Sequence, residues 1–198
     1  MKIKRFINIV IFIFIFALYF FTFLMIYDNF RERKLNSLEK SALELFENKI
    51  EAKKDEIIPE NITPTVNYNG YTILGRIQIP RIGFSSVILK EQTYAAMNIG
   101  TIKSYGVDVN EPGGFVVSGH NFRGRNRFFY SILNLKSGDK VNITDASGKY
   151  MEYTVYEVDR YVSPNDTSYL SYFDGYHVTL VTCENGGKSR IVVKARVQ

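Results

Sequence analysis

Cysteine occurs once in the 198 residues, histidine twice and tryptophan not at all. A single thiol excludes a disulfide framework and any zinc site that needs two thiolates. Excess charge is also scarce. Lys2, Lys4 and Arg5 supply three of the net +5, leaving +2 for the rest of the chain. That is less than a nucleic-acid-binding domain usually carries. No internal repeat is present, and no charge at all interrupts the 22 residues from Phe6 to Tyr27, of which 20 are apolar. At ~1.5 Å per residue this run spans about 33 Å as a helix, enough to cross a bilayer core. What remains suffices for one packed domain plus a connector, which excludes a multidomain assembly, a polytopic transporter and a disordered chain.

The apolar run ends Phe23-Leu24-Met25-Ile26-Tyr27-Asp28 with no Ala-x-Ala-like site after it. It therefore reads as a retained anchor rather than a cleaved signal peptide. Three basic residues and the free amine precede it, against Arg31, Arg33 and Lys34 just after it. The positive-inside rule thus favours a cytoplasmic N-terminus by a small margin.

Beyond the anchor, Leu35, Leu38, Ala42, Leu45, Phe46 and Ile50 recur at three- and four-residue spacings. This predicts an amphipathic helical stalk that ends before Pro59. A linker follows to Gly70. From Tyr71 the period changes to two, with Ile73, Gly75, Ile77 and Ile79 on one face. Further strand-like runs cover 86–89, 115–118, 141–144, 151–158, 178–183 and 191–197, and the apolar parity flips between Val155 and Tyr156, as at a bulge. Seven or eight short strands with little helix imply a closed barrel or a sandwich.

A lone cysteine is more often an inert buried thiol than a nucleophile. Its surroundings here argue otherwise. Val178 and Leu180 share one face of their strand, and Thr179, Val181 and Cys183 share the other. If residues 184–189 form the loop, Cys183 faces Arg190, and the thiol and guanidinium lie together away from the apolar rows. A thiol needs a base. His177 shares the parity of Cys183 but lies six residues upstream, roughly 20 Å along the strand. His120, after the run Phe115–Gly119, is the candidate by elimination, and His177 reads as a surface residue. Arg190 can stabilise the charge that acyl transfer builds on a carbonyl oxygen.

Thr179-Leu180-Val181-Thr182-Cys183 resembles the TLxTC signature of the sortases, the Gram-positive cysteine transpeptidases. Ser118-Gly119-His120-Asn121 is similar to their histidine segment, and Arg190 opens the next strand as their arginine does. The resemblance covers roughly Tyr71 to Gln198. It implies a mostly β fold, a closed barrel of about eight strands with short helices, preceded by the transmembrane helix and stalk. The implied layout is a cytoplasmic flank (1–5), anchor (6–27), stalk (28–58), linker (59–70) and catalytic barrel (71–198). The implied catalytic residues are Cys183, His120 and Arg190, with Thr182 and Asn121 as substrate-binding neighbours. The implied reaction is cleavage of an LPxTG-like sorting signal on a secreted protein and transfer of the acyl group to an amine of a cell-wall precursor. The barrel then lies outside the cell on a single-pass membrane protein.

The Cys183–Arg190 interval is short for that family, and no Asp-Pro-aromatic lid motif precedes the barrel. Together with Ser163-Pro164-Asn165-Asp166, the short interval leans toward a class D-like enzyme, with class B-like next. No cofactor is expected. Asp159, Asp166 and Asp174 fall where some sortases hold calcium, but their loose spacing reads as solvated loop acids. Arg123, Arg125 and Arg127, interleaved with Phe122, Phe128 and Phe129, read as a loop beside the site that faces an anionic wall precursor or lipid headgroups, not nucleic acid. Two other readings stay open: an extracytoplasmic cysteine peptidase using water, and a non-catalytic anchored β-domain. Papain-like peptidases place Cys before His, the reverse of the order here.

Overall fold

A computed structural model describes residues 2–52, 65–122, 127–171 and 174–198. One helix, α1 (Lys2–Ala52), spans the expected anchor and the expected stalk as far as residue 52. Its apolar stretch is long and apolar enough to cross a membrane. The chain divides into two compact units, 1–38 and 39–198. The predicted end of the stalk before Pro59 lies outside the described residues.

The second unit is a barrel. Its strands are β1 (Val66–Tyr68), β2 (Tyr71–Ile79), β3 (Phe84–Leu89), β4 (Thr101–Gly106), β5 (Gly113–Ser118), β8 (Lys140–Asp145), β9 (Tyr150–Val162), β10 (Tyr176–Glu184) and β11 (Ser189–Arg196). A two-stranded ribbon, β6 (Asn121–Phe122) with β7 (Arg127–Phe128), lies between β5 and β8 in the chain. A single-turn helix, α2 (Tyr94–Met97), joins β3 to β4. The sheet runs β1-β2-β3-β4-β5-β10-β11-β9-β8, and β8 returns to pair with β2, which closes eight strands into a barrel. Closure removes the open edges that would invite aggregation. Among the described residues only β3–β4 and β5–β10 are parallel pairs.

The inward rows follow the sequence parity. Ile77, Ile79, Ile88, Phe115, Val117, Leu180, Ile191, Val193 and Ala195 fill one core. The parity flip in β9 is a bulge: Lys194 pairs with Glu157 and Ala195 with Val155, leaving Tyr156 as the extra residue. Within the core, the Tyr153 hydroxyl donates to Asn110 Oδ1 (2.9 Å), and Asn110 Nδ2 donates to the carbonyls of Lys149 (2.8 Å) and Ile143 (3.2 Å). Burial, with Asp145 nearby, pushes the Tyr153 phenol far above its ordinary range, so it acts only as a neutral donor.

Three features differ from the sequence reading. The barrel unit begins earlier than Tyr71: residues 39–52 of α1 belong to it, and Ala42 and Phe46 pack fully buried with Val66, Ile73, Val87 and Leu89. Part of the expected linker is strand β1, turned onto β2 through Asn69 and Gly70, both at positive φ. Strand β4 was not expected because Lys103 and Ser104 break its alternation. Its register shifts at Ser104, whose hydroxyl reaches the hydroxyl of Ser118 at 2.8 Å.

Candidate active site

The site forms where β5 and β10 end and β11 begins. Cys183 pairs directly with Arg190 across β10–β11, and the pairing runs one step further, Glu184 with Ser189. That leaves four loop residues, 185–188, rather than six between strand ends. Gly186 (φ 66°) and Gly187 (φ 91°) both take left-handed backbone that other residues adopt at a cost, which makes so tight a loop possible. Arg190 Nη1 donates to the carbonyls of Gly187 in the loop (3.2 Å) and of Ser189 at the start of β11 (3.3 Å), which together hold the guanidinium.

Cys183 is exposed. It shares the outer barrel face with Val181, and Val116, Val181 and Val192 form a small apolar bed there, packed against Tyr169 and Leu170. The face that carries the thiol is therefore not purely polar.

His120 reaches the site from the other side. β5 and β10 are parallel, and their last pair joins Ser118 with Val181. His120 and Cys183 each lie two residues beyond that pair. Three hydrogen bonds tie the two chain segments together at that point. Gly119 N–H donates to the Val181 carbonyl (3.1 Å), Thr182 Oγ1 donates to the Gly119 carbonyl (2.7 Å), and Asn121 Nδ2 donates to the Cys183 carbonyl (2.8 Å). Gly119 lets the chain pass close to the buried Phe129 ring, since a Cβ there would lie 3.0 Å from it and the ring would have to shift. His120, Cys183 and Arg190 thus stand on three neighbouring segments, with the thiol in the middle.

A family model described as the sortase domain matches residues 77–198.

The chain belongs to the sortase family.

It is 27% identical over 123 residues to sortase A of Listeria monocytogenes serovar 1/2a, covering 62% of this chain and 54% of the relative. To sortase A of Bacillus anthracis it is 30% identical over 111 residues, covering 56% and 52%. The chain thus spans about half the length of these curated relatives. Among solved structures, a Clostridium perfringens sortase D5 transpeptidase superposes with a TM-score of 0.60 at 27% identity, over 82% of this chain and 97% of that one.

Within this sortase barrel the other named residues find different places. Thr182, expected to touch substrate, is instead 2% exposed, and its hydroxyl is spent on Gly119; its parity points it away from the Cys183 face. Asn121 is also engaged, because Nδ2 lies 2.7 Å from Glu184 Oε2 as well as near the Cys183 carbonyl. His177 sits far along β10, paired with Arg196 and Gly114. It is half-buried rather than a surface residue: Nε2–H donates to the Asp174 carbonyl (3.0 Å), and its ring lies edge-on to Tyr156. Burial lowers its pKa.

The three acids do not gather. Asp159 lies beside Glu157, 3.6 Å from Lys194, while Asp166 accepts from the Ser168 N–H. Burial and the Glu157 carboxylate raise the Asp159 pKa. Among the described residues no group of three metal-ligating side chains assembles. Arg123 and Arg125 lie outside the described residues, and so do the side chains of Arg127, Phe122 and Phe128; Phe129 is buried beneath Gly119.

Two residues at the site escaped the sequence reading. Glu184 is 8% exposed and anchors Asn121. Tyr94, on α2, places its ring centroid 4.9 Å from that of His120. Glu184 directly follows the cysteine, a signal within reach. Nothing in the sequence around Tyr94 links it to a histidine 26 positions later.

Proposed function

We propose that this sortase-family chain is a membrane-anchored cysteine transpeptidase acting outside the cell, with α1 as its single-pass anchor and its N-terminus in the cytoplasm. The observation that carries the reading is the exposed Cys183 standing between Arg190 and His120 on adjacent segments.

In the proposed reaction, the Cys183 thiolate attacks the carbonyl after the Thr of an LPxTG-like sorting signal on a secreted protein. Arg190 holds the oxygen on which negative charge develops. His120 gives a proton to the departing amine, and a thioester remains on Sγ. An incoming amine, from a peptidoglycan precursor or another wall acceptor, loses its proton to His120 and attacks the thioester. The amide re-forms and the thiolate leaves. Water in place of the amine gives hydrolysis at the same centre. This acyl transfer calls for no metal or organic cofactor.

The apolar bed of Val116, Val181 and Val192 supports a peptide whose motif carries an apolar residue. The class D-like reading is supported by the short Cys183–Arg190 loop and by the likeness to the Clostridium perfringens sortase D5 structure. The test is incubation of the full chain in detergent with an LPxTG peptide, with and without an added amine, followed by product mass spectrometry. Amide formation that depends on the amine supports transpeptidation. Water-derived product alone, even with amine in excess, supports a peptidase.

A further inference from the structure

We infer that Tyr94 is a positioning residue that holds the His120 imidazole in place for proton transfer; this rests on the transpeptidase reading of the site. Tyr94 opens the single-turn helix α2, and its backbone is firmly anchored. Thr93 caps the turn, its Oγ1 accepting from the Ala96 N–H at 3.1 Å. Ala96 is fully buried among Val87, Leu89, Ile99 and Ile102. From this fixed base the Tyr94 side chain projects outward and stays 64% exposed. Its ring nevertheless lies against His120, centroids 4.9 Å apart and planes tilted by 58°. This falls within the 4.5–7 Å range, and the non-parallel arrangement, that aromatic pairs prefer.

The placement follows from the sheet. α2 leads into β4, β4 pairs with β5, and His120 lies two residues past the end of β5, so Tyr94 reaches the imidazole from the β4 side, whereas Cys183 is on the β10 side. His120 comes just after Gly119, where the chain leaves the barrel. An imidazole has two rotatable side-chain bonds, and the proposed reaction asks it first to give and then to take a proton at one place. A ring fixed on a capped, buried turn narrows those rotations. Misplacement of a proton-transfer group by about 1 Å can cost ~10²-fold in rate.

The test uses the full chain in detergent micelles with histidine carbon-13 labelling. Only His120 and His177 give signals, and His177 serves as the internal control. Tyr94→Leu should move the His120 ring resonances and leave those of His177 in place, whereas Tyr94→Phe should keep both near wild type. With an LPxTG peptide and hydroxylamine as the amine, Tyr94→Leu should lower kcat about tenfold or more with KM little changed, and Tyr94→Phe should restore it. Unmoved His120 resonances in Tyr94→Leu would overturn the inference, as would a loss confined to KM, which would make Tyr94 a peptide contact. If the wild-type chain does not turn the peptide over, the substrate reading fails, and the ring resonances alone decide the position of His120.

Discussion

Cys183 and Arg190 are direct cross-strand partners at the end of β10 and the start of β11, on the outer face of the barrel. Their side chains therefore point the same way, and the guanidinium donates to the carbonyls of Gly187, in the loop, and Ser189, at the start of β11. Arg190→Ala should lower kcat/KM on an LPxTG peptide by ~10²-fold or more, the scale of removing one oxyanion donor. Arg190→Lys keeps the charge but not the planar fork and should recover only part of the loss. Lys194→Ala and Arg196→Ala, about 13 and 20 Å further along the strand, should be nearly silent. A change within twofold for Arg190→Ala would leave Arg190 a solvated strand residue.

The two histidines should separate cleanly. General acid–base help is worth roughly 10²–10⁴-fold, so His120→Ala should lose activity on that scale. His177→Ala should keep most of it, because His177 pairs with Gly114 near the start of β5, not its end. Steady-state rates with peptide and amine check this, and equal losses in both variants would contradict the register.

His177 should instead show in acid stability. Burial favours its neutral ring, so its folded pKa lies below the unfolded value, ordinarily near 6.5. The unfolded chain then takes up the proton first. The associated stability is full above that unfolded value, falls as pH drops through it, and levels off below the lowered folded value. Denaturant unfolding of wild type and His177→Gln between pH 7.5 and about 5 should show a shallower acid limb in the variant. Parallel limbs would mean that His177 does not contribute.

The bond from Thr182 to Gly119 joins the two segments that carry Cys183 and His120. Thr182→Val keeps the shape but leaves a buried carbonyl without its donor, which should cost ~1–3 kcal/mol of stability. Denaturant unfolding followed by circular dichroism measures it. A stability equal to wild type would show that the hydroxyl is dispensable.

Much of this geometry was legible in the sequence, for definable reasons. The period of two in Ile73–Ile79 and in β10 and β11 fixes which side chains share a face, and a two-stranded antiparallel register then follows from the loop length. The Tyr156 bulge appeared as a break in parity. Strand β4 was hidden because its stability comes from partners on both sides rather than from its own pattern. The parallel pairing of β5 with β10 was hidden as well, since parallel neighbours lie far apart in sequence, here with β6 to β9 between them. That pairing brings the segment that carries His120 alongside the end of β10, and sequence reasoning reached His120 only by elimination. Thr182 and Asn121 stood in the right motifs, but their hydrogen bonds to the opposite segment depend on the same hidden pairing.

The central claim is that Cys183 carries the acyl group. Incubating the full chain with an LPxTG peptide, quenching in acid and recording the intact mass tests it most directly. The expected result is an adduct of the peptide acyl fragment on Cys183 that a small amine removes, and no adduct on Cys183→Ala despite a folded barrel by circular dichroism. An adduct that persists in Cys183→Ala, or peptide turnover by that variant near the wild-type rate, would contradict the account.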